Sequence, residues 1–349
     1  MSLFDSAPKS LCILRLSAIG DVCHAIAVVQ AIQAQWPETQ ITWICGKIES
    51  QLIADLPGIR VVTFDKKQGM AGMRAVWSEM KHERFDVLLH MQAALRASLL
   101  SLGLKARYKV GFGKNRTREG QWWFTNRHLP KTDAVHVLDN FAEFARYLGI
   151  SFHKPHWNIP LNDSDQEFAI KALQDTPSLV ICPAASKDCR NWLVERYAAV
   201  ADFATENGLQ VVLCGSPAER EIQLGQAIIN QCAHPVVNLI GQTSLKQLTA
   251  VLKQAHIVIA PDSGPAHLAT TQGTPVIGLY AHSNPLRTGP YYSLETTVNA
   301  YQRLAEQQFH QPASNLKWGT RLKGENLMST IQVEEVTRLL LPFCQKANL

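Results

Sequence analysis

No stretch of the chain reaches the roughly 18 to 20 unbroken apolar residues that a membrane-spanning helix needs. The opening residues, MSLFDSAPKS, lack the basic start and long apolar core of a signal peptide. No Cys-x-x-Cys pair and no zinc-type Cys/His spacing is present, and the eight cysteines at 12, 23, 45, 182, 189, 214, 232 and 344 sit mostly inside apolar runs. They read as small buried hydrophobes of a reducing compartment. A Walker loop is absent. The segment GFGKNR, from Gly111, lacks the third glycine of the dinucleotide fingerprint and opens no helix after a strand, so dehydrogenase chemistry has no support. Internal repeats and low-complexity tracts are missing too. Charge of one sign is scarce: 34 Lys+Arg against 29 Asp+Glu leaves +5, far from a histone-like balance. The absences describe a cytosolic protein and leave a peripheral membrane role open.

What is present is alternation. Short β-rich apolar runs alternate with segments of helical period, the pattern of parallel sheets with helices on both faces. LCILRL, QITWIC, RVVTF and FDVLLHM are strands of a first half; SLVICP, LQVVLCG, PVVNLI, HIVIAP and TPVIGLY are strands of a second. At 349 residues and 46% hydrophobic, the chain is long enough for two domains, each with its own core. The polar stretch HKPHWNIPLNDSDQE, broken by Pro155 and Pro160, is the linker. The expected division is 1–160, 161–330 and a terminal helix over 331–349 that packs back toward the N-terminal domain. Asp163 to Asp165 (DSD) resembles a metal-binding pair, but before a helix it is better explained by capping, and no metal is expected.

Ligands of open α/β sheets bind beyond the carboxyl ends of the strands, so the loops that follow strands hold the candidates. Asp21 follows the first strand just past Gly20; it is either a helix N-cap or a general base aimed at a substrate. In APDSGPAHLA, Asp262 ends a strand, Ser263-Gly264 turns, and Pro265 stands at the helix start, which leaves backbone amides for an anion such as a diphosphate. His267 lies in the first turn. In PAASKDCRNW, Ser186, Lys187 and Arg190 suit phosphate oxygens, although a solvated loop fits the same residues. Glu219, in CGSPAERE, is within reach of a ribose hydroxyl or is an ordinary first-turn acid. Residues 105–131 read as a loop carrying eight Lys/Arg against Glu119, with Trp122, Trp123 and Phe124 exposed inside it. That interleaving suits nucleic acid or an anionic lipid surface.

With SAIGDV, GFGKNRTRE, FTNRHLP, SKDCRNW, GSPAE, DSGPAHLA and GTPVIGLY in this order, the chain resembles the lipopolysaccharide heptosyltransferases of glycosyltransferase family 9, nearest the heptosyltransferase I branch. The resemblance implies a GT-B architecture: two Rossmann-like, doubly wound domains facing across a cleft, the first holding the acceptor and the second the nucleotide sugar. It implies inverting, metal-independent transfer of L-glycero-D-manno-heptose from ADP-heptose to the Kdo residue of Kdo-lipid A, with no cofactor. Asp21 would be the base. Ser186, Lys187, Arg190, Glu219, Asp262, Ser263, Gly264 and His267 would bind the donor, and Arg116 and Arg118 the acidic acceptor. Arg190 stands where heptosyltransferase I usually has Lys, and Ser263 where it has Thr. A monomer at the cytoplasmic face of the inner membrane is expected, with no nucleic acid partner. A transferase acting on an already heptosylated core and a GT-B-like nucleotide-sugar epimerase are the alternatives.

Overall fold

Apolar runs without polar alternation become strands buried on both faces, as parallel sheets require. The computed structural model describes residues 2–174 and 176–347. They form two units, Met1–Pro160 and Leu161–Leu349. The first holds β1 (Ser10–Leu14), β2 (Gln40–Gly46), β3 (Ile59–Phe64), β4 (Phe85–His90), β5 (Ala106–Gly111) and β6 (Arg127–His128). Its helices are α1 (Ile19–Gln35), α2 (Lys47–Ile53), α3 (Gly69–Glu79), α4 (Leu95–Ser101) and α5 (Val137–Leu148). The strands pair in parallel in the order β3-β2-β1-β4-β5-β6.

The second unit repeats the plan with β7 (Ser178–Ile181), β8 (Gln210–Leu213), β9 (Val237–Asn238), β10 (Ile257–Pro261), β11 (Val276–Tyr280) and β12 (Val298–Asn299). Its helices are α6 (Asp163–Leu173), α7 (Val194–Glu206), α8 (Glu219–Ile229), α9 (Leu245–Gln254), α10 (Gly264–Thr271), α11 (Pro285–Thr288), α12 (Ala300–Phe309) and α13 (Val333–Ala347). The order β12-β11-β10-β7-β8-β9 is that of the first sheet read from the other edge. Each sheet therefore reverses direction once, between β1 and β4 and between β7 and β10, and such a switch point is where open α/β sheets bind ligands. All eight cysteines are free, six of them buried. Burial pushes the thiols of Cys45 and Cys214 up to about 12.

Three expectations change. The helix after the first strand begins at Ile19 with Ala18 as its N-cap, so Asp21 is its third residue rather than its cap. Residues 105–131 are no loop: they contain β5, β6 and a 3₁₀ turn at Gln121–Phe124. Backbone pairing to β4 makes β5 a strand despite its Lys and Arg, and Phe124 is half-buried. Asn162, whose side chain accepts from the Asp165 amide at 2.8 Å, caps α6, and the DSD acids lie in its first turn. The terminal helix α13 packs on α7 and β11, and its stripe Val336, Leu340 and Cys344 belongs to the core of the second unit. Leu340→Ala, at a fully buried position, should lower stability by about 2–5 kcal/mol in urea unfolding.

Candidate active site

In the first unit the loop after β1 returns its side chains to the sheet end. Arg15, only 8% exposed, donates from Nη1 to the Met91 carbonyl at 2.6 Å and from Nη2 to the Asp21 carboxylate. Its guanidinium also lies over the Phe141 ring, 5.2 Å from the centroid. Burial pulls the Arg15 pKa down and the Asp21 charge opposes this. Asp21 keeps 36% of its side chain exposed and so can still meet a substrate. Gln92, after β4, accepts from the amides of Leu16 at 2.7 Å and Ser17 at 3.3 Å, which fixes the backbone leading into α1. Beneath it, His90 is fully buried, with Gln121 Nε2 at 3.0 Å from its Nδ1 and 2.7 Å from its carbonyl oxygen. Burial lowers the His90 pKa to about 4.

Beside these residues opens a cavity of about 700 Å³ at the carboxyl ends of β1, β2, β3 and β4. Leu16, Phe64 and Met73 give it apolar walls, and Lys47, Lys66, Lys67 and Arg96 add positive charge. Glu49 on the same wall is buried, which raises its pKa against the pull of Lys66 and Arg15. An amphiphilic lining of this kind fits an acidic ligand with apolar parts.

The second unit gathers the other cluster at the β7/β10 switch point. Arg190 Nη1 donates to the Asp262 carboxylate and to its carbonyl oxygen, both at 3.2 Å, and each side chain is 11% exposed. Ser283 Oγ, from the loop after β11, donates to the same carboxylate at 2.6 Å. Asp262 thus ties together three loops. Ser263 is the N-cap of α10, yet its side chain makes no capping bond and its Oγ is buried without a hydrogen-bond partner among the described residues. The first amides of α10 are left uncapped by a side chain, as an anion site requires. Gly264 is the first helical residue and Pro265 the second; His267 is buried one turn in.

Ser186 and Lys187 are exposed on the Arg190 loop. Glu219 is exposed at the start of α8 and accepts from Gln223 at 2.9 Å. Its neighbour Arg220 bonds Asp188 and, at 2.9 Å, the Ala185 carbonyl, which fastens α8 to that loop. Arg116 is occupied elsewhere. It donates to Asn140 Oδ1 at 2.7 Å and to the Ala134 carbonyl at 2.9 Å, bracing its own loop, while Arg118 is exposed.

Arg15, Gln92, Arg220 and Ser283 were not singled out in the sequence. All four lie shortly after a strand, and that position was the available signal; nothing in their spacing showed which partner each would meet. No helix among the described residues is long and apolar enough to cross a membrane.

The two doubly wound units are the fold of GT-B glycosyltransferases. A family 9 glycosyl transferase from Veillonella parvula superposes with a TM-score of 0.80 at 20% identity, covering 98% of this chain and 99% of that one. The E. coli heptosyltransferase WaaC with ADP gives 0.74 at 19% identity, covering 96% and 99%. The chain belongs to glycosyltransferase family 9 (heptosyltransferase), which it matches over residues 73–319. It is 50% identical over 337 residues to the lipopolysaccharide core heptosyltransferase OpsX of Haemophilus influenzae, covering 96% of this chain and 97% of that protein. Membership makes it a transferase and sets the epimerase alternative aside.

His90 supplies a test of the first unit. An unfolded histidine titrates near 6.5, so between about pH 6.5 and 4 the unfolded state binds the extra proton and stability falls as pH falls. The loss should approach about 3 kcal/mol. His90→Gln should flatten that part of the stability–pH curve in denaturant titrations, while an unchanged slope would remove His90 as its source.

Proposed function

We propose that the chain transfers L-glycero-D-manno-heptose from ADP-heptose to the Kdo residue of Kdo-lipid A, with inversion and without a metal ion. The observation that carries this reading is the uncapped start of α10 beside the buried Arg190–Asp262 pair. Such a cluster suits the negative charge that develops on a departing diphosphate. Arg190, oriented by Asp262 and Ser283, holds that charge together with Lys187, Ser186, His267 and the amides of Ser263 and Gly264. Glu219 receives the ribose hydroxyls.

Asp21, held by Arg15, takes the proton of the acceptor hydroxyl as its oxygen attacks the anomeric carbon. The bond to the diphosphate breaks on the opposite face of an oxocarbenium-like centre, and the ring carbon inverts. Lys66, Lys67 and Arg96 in the cavity receive the acidic groups of the acceptor, and Arg118 is exposed for the same role. These residues replace Arg116, whose guanidinium is engaged in its own loop. No cofactor enters these steps. The chain acts as a monomer at the cytoplasmic face of the inner membrane, on ADP-heptose and lipid-linked Kdo and not on nucleic acid.

Purified protein in EDTA should release ADP from ADP-heptose only when Kdo-lipid A is added, with heptose appearing on the lipid. Transfer to a heptosylated core alone would replace the acceptor, and a requirement for divalent cations would overturn the metal-free reading. Asp21→Asn should lower turnover by about 10²- to 10⁴-fold while ADP-heptose affinity stays within twofold; retained turnover would return Asp21 to a purely structural role.

A further inference from the structure

α4 divides its surface sharply. It buries Ala97, Ser98, Leu100 and Ser101. It exposes Leu95 at 49% and Leu99 at 36%, and Leu102 just past its end is 61% exposed. Positions 95, 99 and 102 follow the i, i+4, i+7 rule, so the three leucines form one outward stripe. The 3₁₀ turn Gln121–Phe124 packs against α4 and carries Trp123, 90% exposed. Its neighbour Trp122 is held differently, stacked on His128 at 3.9 Å and bonded through Nε1 to the Phe112 carbonyl. An indole and three leucines left in water on adjoining elements are costly without an occupant.

Charge accompanies the stripe. Arg96 lies on α4, and Lys47, Lys66 and Lys67 line the same cavity mouth as Leu95 and Leu99. All four cations are exposed, and none is in an ion pair among the described residues. The acids on that rim are engaged in other tasks. Glu119 accepts from the Leu95 amide at 2.7 Å, Asp65 accepts from the Lys67 amide at 2.9 Å, and Glu49 is buried.

We propose that this face is a membrane-docking surface and that its occupant is a bilayer containing anionic phospholipid. Leu95, Leu99, Leu102 and Trp123 enter the headgroup boundary, where indole rings are favoured. Lys47, which the acceptor does not use, meets lipid phosphates, and the charge of Arg96, Lys66 and Lys67 at the cavity mouth adds attraction to the anionic surface before the acceptor engages them. A nucleic acid backbone would match the cations and one stacked indole, but it offers nothing to a leucine stripe. The placement brings the cavity mouth to the depth of lipid headgroups. Its biological sense rests on the proposed lipid-linked acceptor, but docking itself is measured without that acceptor.

The test is sedimentation with vesicles of phosphatidylcholine alone or mixed with phosphatidylglycerol, at physiological ionic strength. Wild-type protein should partition at least tenfold more strongly onto the anionic vesicles. Trp123→Glu combined with Leu102→Glu should lower that partition at least tenfold, with turnover on an acyl-free, soluble Kdo acceptor within twofold of wild type. Vesicles with brominated acyl chains should quench tryptophan emission in wild type and clearly less in the conservative Trp123→Phe variant. Equal partition of wild type and the double variant, equal quenching of wild type and Trp123→Phe, or displacement from vesicles by low concentrations of RNA would overturn the proposal. Failure of wild-type transfer to the soluble acceptor would count against the transfer reading alone.

Discussion

Every strand of both sheets runs the same way, so the loops that leave the strands of one sheet all emerge at one edge. That single constraint brings together residues that the sequence keeps far apart. Gln92 reaches the Leu16 amide across 76 positions, and Arg190 reaches Asp262 across 72. The reversal of strand order supplies the rest: beside β1 and β4, and beside β7 and β10, the connecting helices leave on opposite faces and open a crevice that no helix fills. The Asp21 cluster and the Asp262 cluster are the contents of those two crevices.

Both units stabilise their crevice with a buried guanidinium from the loop after the first strand of the unit. In the first, Arg15 pairs with Asp21; in the second, Arg190 pairs with Asp262. Taking a charge out of water is costly, and loss of one partner of a buried pair costs about 3–5 kcal/mol. The two pairs differ in what remains outward. Asp262 is 11% exposed and also accepts from Ser283, so its carboxylate is consumed in holding loops and aiming Arg190. Asp21 is 36% exposed, with a side left for a substrate. One device thus leaves the second unit's aspartate enclosed and the first unit's open, and that exposure is what the proposed base at Asp21 requires.

Most strands that sequence reading found are buried on both faces, where parallel pairing demands continuous Val, Ile and Leu, and the edge strands β3 and β9 were found from their Val-rich runs. Those it missed lie toward sheet edges: β5 carries Arg107 and Lys109, and β6 and β12 have two residues each. Their pairing is set by the neighbouring backbone, which leaves little trace in side-chain pattern. The same limit applies to the terminal helix. Its apolar stripe was legible, but a stripe does not say which core it completes, and Val336 and Leu340 complete the second. Candidate residues next to a glycine turn were legible because turn and charge coincide. Arg15, Gln92 and Ser283 stand in loops without such a mark, and only the folded sheet edge gives them partners. The stretch 105–131 was legible as basic and aromatic, but packing distinguishes Trp122, 38% exposed and stacked on His128, from Trp123, 90% exposed.

The family match divides the chain in an informative way. It spans residues 73–319, so Arg190, Asp262 and His267 lie inside it, while Arg15, Asp21, Lys66 and Lys67 precede it. The cavity is built across that boundary, from Leu16, Phe64 and Lys66 on one side and Met73, Leu95 and Arg96 on the other. A nucleotide diphosphate asks the same of every protein that releases it: fixed donors and a positive helix end. An acceptor asks for a shape and a charge pattern of its own, and the first 72 residues supply half of the wall that would read it. The 50% identity with the H. influenzae relative covers 96% of this chain and so includes most of that wall. On the proposed reading, acceptor choice falls to residues of the first unit that the family match does not reach, with Lys66 and Lys67 foremost because they carry exposed charge in the cavity lining.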